Sequence, residues 1–510
     1  MSLSTAFNVI SSSFAANAAQ TAVVSNNIAN VNTPGYSREI ANVVTNSYGG
    51  ADVASITREA NAALLEQVSS STSQAAAQQA ISDGLTTLAQ TVDDSSSTTS
   101  TSGANQNGAS PSAMLANLQS ALTSYADSPT SSSAADAVVS AASDLASSLN
   151  SASATVQQVR ETADQKMASS VNTINSLLNQ FTAANNAVVT GLQTGANVSS
   201  AEDTRDSIVN QLAQQIGVST TVAANGSEAI YTDSGVTLFQ DTPRTVSFTP
   251  TPTLVDGSNG GAVTIDGVPI TGANSPMPIQ SGALAGYAAV RDTLAPEYQA
   301  QLDQIAGGLI NAFGESDQSA TPTLPSLPGL FTTPGETSLP SMSATTGLAA
   351  AIEINPNVDP SQGGNPNLLR DGGISDPGNP AYVYNTTGAA SFTGRIQELI
   401  GQISATQSFD PSAGLNPSAS LTDYANASVS WVQAQNQQAS DASSYQNAVA
   451  TQATSALSNA TGVNLDAEMT NMLNLENSYF SRKPFGRSGA ISEAALSALF
   501  YHMTLIVLVR

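Results

Sequence analysis

Residues 3–39 read LSTAFNVISSSFAANAAQTAVVSNNIANVNTPGYSRE, and their spacing predicts a helix near the start of the chain. Positions separated alternately by four and three residues are apolar except in the middle, where Asn17 and Thr21 stand. This is the spacing of a coiled-coil seam, in which polar positions set the register rather than add stability. An ordinary amphipathic helix docked on its own domain fits the spacing equally well. The apolar seam positions are Leu3, Phe7, Ile10, Phe14, Val24, Ile28 and Val31.

A turn is predicted to end this helix at about Asn32. In the tetrapeptide Thr33-Pro34-Gly35-Tyr36, proline fixes φ at the second position and glycine supplies the positive φ that a type II turn needs at the third. Thr33 precedes proline and is therefore biased away from helical backbone angles.

Three asparagines, Asn26, Asn27 and Asn30, share a facet of the helix that lies away from the apolar seam. Asparagine lowers helix propensity, because its side chain competes for backbone hydrogen bonds. It also supplies donors and acceptors without charge, which suits lateral contacts between copies of the chain. The residues alone leave two hypotheses open: a surface for such contacts, or a helix end that asparagine merely marks.

The chain as a whole is predicted to be mainly α with an inserted β domain, an α+β protein. Residues 145–181 keep the seam spacing with one slip between residues 163 and 167, which predicts a long helix. Residues 216–280 contain short β-branched runs, and VTIDGVPI (263–270) predicts a hairpin turning at its Asp-Gly pair. We expect an elongated, multidomain molecule whose terminal helices pair as a coiled coil, with the β domain at the far end.

These patterns predict eight segments along the chain. They are a helix and turn (1–40), the first part of a helical domain (41–215), a small inserted β domain (216–280), a helix returning to the helical domain (281–316), a Pro-rich linker with mixed structure (317–391), the last part of the helical domain (392–460), the start of a C-terminal helix (461–479) and an atypical tail (480–510). Within the first helical segment, the low-complexity residues 93–110 predict a loop.

Composition excludes several classes of function. The 510 residues carry a formal charge of −25 with only 13 Lys and Arg, and this negative field makes nucleic acid an unexpected partner. No apolar run is long enough to span a bilayer, so we expect no membrane insertion. The first basic residue is Arg38, so no Sec signal is expected, and the absence of Cys excludes disulfides and thiol chemistry.

No catalytic motif emerges from the sequence. The single histidine, His502, lies in the atypical tail, and no known nucleophile or phosphate-binding motif is present. Carboxylate pairs such as Asp466 and Glu468 are expected to be solvated, and DGSNGG (256–261) is expected to be a turn rather than a calcium loop. We therefore expect no enzyme activity, no catalytic residue, no metal site and no cofactor.

Two terminal stretches resemble a known family. SNNIANVNTPGYSRE (25–39) resembles the N-terminal signature of bacterial flagellar axial proteins, and its Ser-Arg after the Tyr is typical of the hook-associated branch. TGVNLDAEMTNMLNLENSY (461–479) resembles the C-terminal signature of the hook-associated protein 1 family, the hook–filament junction proteins. Residues 145–180, 202–222 and 282–314 are similar to the same family, so the resemblance covers most of residues 1–479.

The resemblance implies a structural protein of the bacterial flagellum, secreted unfolded by the flagellar type III exporter and located outside the cell at the hook–filament junction. It implies a ring-like or helical assembly of the chain with itself, and as partners the flagellar hook protein, hook-associated protein 3 and an export chaperone. A hook or distal rod protein is one alternative, and a secreted acidic adhesin or surface-layer protein is another. The assembly residues implied are the seam, continued by Leu465, Met469, Met472 and Tyr479, and the turn with its asparagine facet.

The resemblance stops after Tyr479. Pro484 and Gly486 interrupt any helix that continues from there, and four of the 13 basic residues fall within the last 31 positions. Our hypothesis is that a frameshift or sequencing error has replaced a family-like tail, which translation of the other two reading frames would test. A lineage-specific tail is the alternative.

Overall fold

A computed structural model describes residues 3–94 and 110–482, with the backbone alone for 480–482. Most of the predicted low-complexity loop and nearly all of the atypical tail, including His502, lie outside the described residues. The helices are α1 (Leu3–Ala29), α2 (Ala62–Ala89), α3 (Pro111–Asp127), α4 (Ser132–Thr194), α5 (Ser199–Gln215), α6 (Ala283–Ala289), α7 (Ala295–Ala312), α8 (Leu348–Ala351), α9 (Leu368–Asp371), α10 (Gly394–Ser404), α11 (Leu421–Thr461) and α12 (Leu465–Arg482).

All strands in the described residues are short and pair antiparallel. A four-stranded sheet has the order β3-β4-β5-β6 and a three-stranded sheet the order β7-β8-β9. Three two-stranded sheets are formed by β1 with β2, β10 with β11, and β12 with β13. The strands are β1 (Glu39–Thr45), β2 (Ala51–Arg58), β3 (Val218–Val222), β4 (Glu228–Thr232), β5 (Thr237–Gln240), β6 (Thr242–Pro243), β7 (Val246–Ser247), β8 (Thr264–Ile265), β9 (Val268–Pro269), β10 (Phe331–Thr332), β11 (Glu353–Ile354), β12 (Thr406–Ser408) and β13 (Ser418–Ser420).

The long helix predicted around residues 145–181 is confirmed as α4, which has 63 residues. The Ser131 hydroxyl caps its start by accepting from the Ala134 N–H, and Gly195 ends it with a φ of 73°. Its first half, as far as Ala163, is buried in a helical core with α2, α3, α7, α10 and α11. From Met167 onward it is buried in a second core with α5, α6 and strands β3–β9. The slip in the spacing therefore falls where α4 passes from one core to the other.

The hairpin predicted at VTIDGVPI is confirmed as β8 and β9. Ile265 pairs with Val268, and Asp266 and Gly267 have φ values of 48° and 84° at the turn between them. Positive φ at both central positions is what a two-residue turn of type I′ requires.

Two local predictions are wrong. Residues 41–58, predicted to begin the helical domain, contain most of the hairpin of β1 and β2. The Pro-rich stretch is not a free linker, because Leu330 and Phe331 are buried in the helical core. Ile374 and Ser375, within the same stretch, donate their backbone N–H groups to the buried carboxylate of Glu315, which lies just before it. Prolines there shape a packed loop rather than separate two domains.

The predicted position of the β domain is also wrong. The β strands pack on the second half of α4, close to the chain termini: Glu39 at the start of β1 accepts from Asn197, just beyond the end of α4. The helical core occupies the first half of α4. The β domain therefore lies on the same half of α4 as the termini, rather than at the far end from them.

A close helix contact gives a first testable prediction. A Cβ added to Gly286 in α6 would lie 2.4 Å from the Ala77 carbonyl oxygen of α2, a backbone atom that cannot rotate away. We expect Gly286→Ala to lower the free energy of unfolding by about 1–3 kcal/mol through overpacking. The matched control is Gly401→Ala in α10, where a Cβ meets nothing within 4 Å.

The control variant should raise the free energy of unfolding by about 0.5–1 kcal/mol, because alanine is the better helix former. Urea denaturation followed by circular dichroism measures both. Equal effects of the same sign would contradict the close contact.

Candidate assembly site at the chain termini

The terminal helices α1 and α12 lie side by side in opposite directions. Asn17 Nδ2 donates to the Leu475 carbonyl oxygen at 3.1 Å, and the rings of Phe14 and Tyr479 meet edge to face with centroids 5.3 Å apart. Asn17 is buried, so this bond fixes which residues of the two helices face each other. The predicted pairing of the terminal helices is confirmed, with a polar seam position that sets its register.

The predicted turn is confirmed at the end of α1. The Tyr36 N–H donates to the Thr33 carbonyl oxygen at 3.2 Å, and Gly35 has a φ of 78°. α1 itself ends at Ala29, three residues before the predicted Asn32.

Asn27 was predicted to lie on an exposed facet, and that prediction is wrong because the side chain is fully buried. Its Oδ1 accepts from the Glu39 N–H and from the Tyr36 hydroxyl, both at 2.9 Å. Its Nδ2 donates to the Glu39 carbonyl oxygen at 2.9 Å. The turn folds the chain back across the helix, and Asn27 supplies the partners that the first backbone groups of β1 need there. Asn26 is exposed and Asn30 half-buried, so these two remain on the surface.

The residues after the turn connect β1 to the C-terminal part of the chain. The Arg38 N–H donates to the Thr461 carbonyl oxygen at 2.8 Å, and Arg38 Nε lies 2.6 Å from Glu468 Oε1. The Glu468 side chain is 1% exposed, so the expectation that this carboxylate is solvated is wrong. Burial, followed by nearby carboxylates, raises the pKa of the Tyr36 hydroxyl, which therefore remains a donor to Asn27.

The β1–β2 hairpin is anchored to α5 by one arginine. Arg58 Nε lies 2.9 Å from Glu202, one of its NH groups lies 2.8 Å from Asp203, and it also pairs with Asp206. Although burial by itself lowers the pKa of Arg58, the three carboxylates raise it overall. The Ser37 N–H donates to the same Asp203 at 3.0 Å. The hairpin is therefore held between α1 on one side and α5 on the other.

Not all predicted seam residues lie between α1 and α12. Val24 is buried and Ile10, Phe14, Ile28, Val31, Met472 and Tyr479 are half-buried, whereas Leu3 and Phe7 are 89% and 67% exposed. Leu465 and Met469 are each 45% exposed, so their prediction as contacts between the two helices is wrong. Glu468 faces Arg38, and the helical period leaves Leu465 and Met469 on a different, outward face.

An exposed apolar stripe results on α12. Leu473, 58% exposed, lies four residues after Met469, which in turn lies four after Leu465, so the three share one helix face. We call Leu465, Met469 and Leu473 the α12 stripe. The turn residues Thr33, Pro34 and Gly35 are also exposed.

Sequence reasoning missed Glu468, Arg58 and Leu473. Arg58 and Arg38 are scarce basic residues in an acidic chain, and that scarcity was the available signal for a structural ion pair. Leu473 follows Leu465 and Met469 at helical spacing. It was left out because the predicted seam continued from Met469 to Met472 and Tyr479 instead.

Among residues 3–94 and 110–482, no helix combines the length and apolarity needed to cross a membrane, and no group of three or more metal-ligating side chains comes together.

Two family models match this chain. Residues 102–322 match the helical domain of the flagellar hook-associated protein FlgK, and residues 5–36 match the flagella basal body rod protein family. The chain is thus similar to flagellar hook-associated proteins over residues 102–322, which are less than half of its length. Both matches are to families of flagellar proteins, so the chain is similar to flagellar proteins over these residues. The resemblance is thereby confirmed for the N-terminal stretch as far as residue 36 and for the three internal stretches, whereas the resemblance of residues 461–479 stays a prediction.

One solved structure similar to this chain is that of the flagellar hook junction protein FlgK from Burkholderia pseudomallei. The identity is 23% and the TM-score 0.40, over 52% of this chain and 46% of that one. The chain thus matches about half the length of that structure. No curated protein sequence matches the chain.

Proposed function

We propose that this chain forms the junction zone between hook and filament by packing with copies of itself. The α12 stripe is the observation that carries the proposal. Three large apolar side chains on one face of a terminal helix are costly to leave in water, and a neighbouring subunit would bury them. Leu3 and Phe7 provide a second exposed apolar pair on α1.

The same proposal includes the partners and the route of the family. The chain is exported unfolded by the flagellar type III system, assisted by an export chaperone, and contacts hook protein on one side and hook-associated protein 3 on the other. The match of residues 102–322 to a hook-associated helical domain favours this over a hook or rod subunit. A surface adhesin would leave both family matches unexplained.

The test locates the protein on intact flagella and compares it with one variant of the α12 stripe. In cells that express this chain as their only junction protein of this kind, immunogold label against it should be confined to the hook–filament boundary. The triple variant Leu465→Gln, Met469→Gln, Leu473→Gln should fold with less than about 0.5 kcal/mol change in stability, because these sites are exposed. Label at the boundary and swarming motility should nevertheless be lost.

A matched control is Tyr445→Gln in α11, also exposed at 66%. It should leave both label and motility unchanged. Label along the hook or over the cell surface would overturn the junction proposal, and normal junctions built by the triple variant would overturn the role of the α12 stripe.

A further inference from the structure

Asp303 is a buried carboxyl group of the helical domain. It lies on α7 and is 2% exposed. Its two oxygens accept from the backbone N–H groups of Gly347, at 3.1 Å, and Ala349, at 2.8 Å, and from the Gln299 amide at 3.2 Å. It thus holds the turn that leads into α8 against α7.

A second carboxyl group faces it from the loop that precedes β8. Asp256 Oδ1 accepts from the Gly257 N–H at 2.9 Å, while its Oδ2 is buried and receives no N–H or other O–H donor within the described residues. Asp256 Oδ2 lies 3.9 Å from the position that a Cβ on Gly347 would take, and the Gly347 N–H donates to Asp303, so the two carboxyl groups lie against the same turn. A Cβ placed on Gly257 would lie 2.9 Å from Thr346, so the loop is in close contact with this turn.

Two carboxylates in hydrogen-bond contact need a proton between them, because neither has a hydrogen to donate when ionised. We propose that Asp256 and Asp303 share one proton and form a pH-sensitive latch between the inserted β domain and the helical core. The Asp303 hydroxyl donates to Asp256 Oδ2 while the latch is closed. Loss of the proton leaves two negative charges in contact, and the loop at residues 254–258 is released.

Other charged groups lie around the pair. Arg160 of α4 donates to the Val255 and Ser258 carbonyl oxygens on both sides of Asp256. Burial lowers the pKa of Arg160. Two charged residues on the π turn between α6 and α7 (Val290–Leu294) also act on this pKa: Asp292 raises it and Arg291 lowers it. The turn before α8 faces α7 with the Met342 carbonyl oxygen, the Thr345 hydroxyl and the Gly347 N–H, and residues 342–347 include no charged side chain. Burial, then the hydrogen bond and charge of Asp256, raise the pKa of Asp303 to about 8.

The sign of the pH dependence follows from the folded and unfolded states. An unfolded Asp has a pKa of about 3.9, so the folded chain holds one extra proton between about pH 4 and pH 8. Stability from the latch is complete below about pH 4, declines as pH rises and levels off above about pH 8. The chain contains one His and no Cys, so few other groups titrate across the upper part of this window.

The experiment measures proton release on unfolding of the full chain at pH 6, from urea titrations at closely spaced pH values. We expect the unchanged chain to release about one proton more than the variant Asp256→Asn, whose amide donates to an ionised Asp303 at any pH. The control variant is Asp241→Asn, which removes an exposed carboxylate elsewhere in the β domain. It should release as many protons as the unchanged chain.

A second measurement needs no variant. Amide exchange in residues 254–260, corrected for the chemical rate, should accelerate between pH 7 and pH 9.5, whereas residues 359–364, another surface loop, should not. The latch would be overturned if the unchanged chain and Asp256→Asn released equal numbers of protons on unfolding. It would also be overturned if the corrected exchange rate at residues 254–260 did not change with pH.

Discussion

Replacing Asn27 with alanine is expected to detach the β1–β2 hairpin from α1 and to lower the local free energy of opening by about 3 kcal/mol. The variant loses all three hydrogen bonds of a fully buried amide. It also leaves the Glu39 N–H and carbonyl without their partners, and an unsatisfied buried group is destabilising in addition to the lost bond.

Hydrogen exchange over residues 20–45 measures this effect directly, because local opening of a terminal element need not unfold either core. The matched control is Asn26→Ala, the adjacent residue with an exposed side chain. It should change exchange by less than about 0.5 kcal/mol. Similar exchange in both variants would show that Asn27 has no special structural role and would restore the hypothesis that the asparagines merely mark a helix end.

The two neighbouring asparagines show what the sequence could predict and what it could not. Helical spacing placed Asn26, Asn27 and Asn30 on one facet, but Asn26 is exposed, Asn30 half-buried and Asn27 fully buried. It could not show that Asn27 is covered, because the covering strand follows a turn whose direction depends on tertiary contacts. β1 and β2 were missed for a related reason: their exposed faces, which include Val43 and Val44, give no regular apolar alternation.

The terminal helices show a similar division. The seam predicted that α1 pairs with α12, and Asn17 sets its register as expected. The face of α12 was misassigned because Glu468, a charged residue, is buried against Arg38. A hydrophobic pattern cannot place a buried carboxylate whose partner lies 430 positions earlier. Met469 and Leu465 then turn outward, where they carry the proposed contacts between copies.

The slip in the spacing of α4 was visible in the sequence, but its cause was not. Asp164 lies within the slip, is buried, and pairs with Arg291. Arg291 is fully buried, holds Asp292 through two bonds of 2.7 and 2.9 Å, and donates to the Gly261 carbonyl oxygen at 2.8 Å. This arginine therefore joins α4, the π turn and the β domain at the border between the two cores.

Arg291→Met is expected to lower the free energy of unfolding by about 3–5 kcal/mol, because it leaves the Asp164 carboxylate buried without its partner charge. Urea denaturation followed by circular dichroism and by the fluorescence of Trp431, which packs on the helical core, measures the loss. The matched control is Arg244→Met, whose ion pair with Asp266 is about half exposed on both sides. That variant should lose less than about 1 kcal/mol.

A double variant, Arg291→Met with Asp164→Leu, separates the two possible origins of the loss. If the uncompensated carboxylate is responsible, the double variant recovers most of the stability, because a buried ion pair replaced by packed apolar side chains is often close to neutral. No recovery would mean that the guanidinium acts mainly through its bonds to Gly261 and Asp292, and so through the position of the β domain. In either case the border between the cores, rather than the interior of one of them, would be the place where a single substitution uncouples the β domain from the helices.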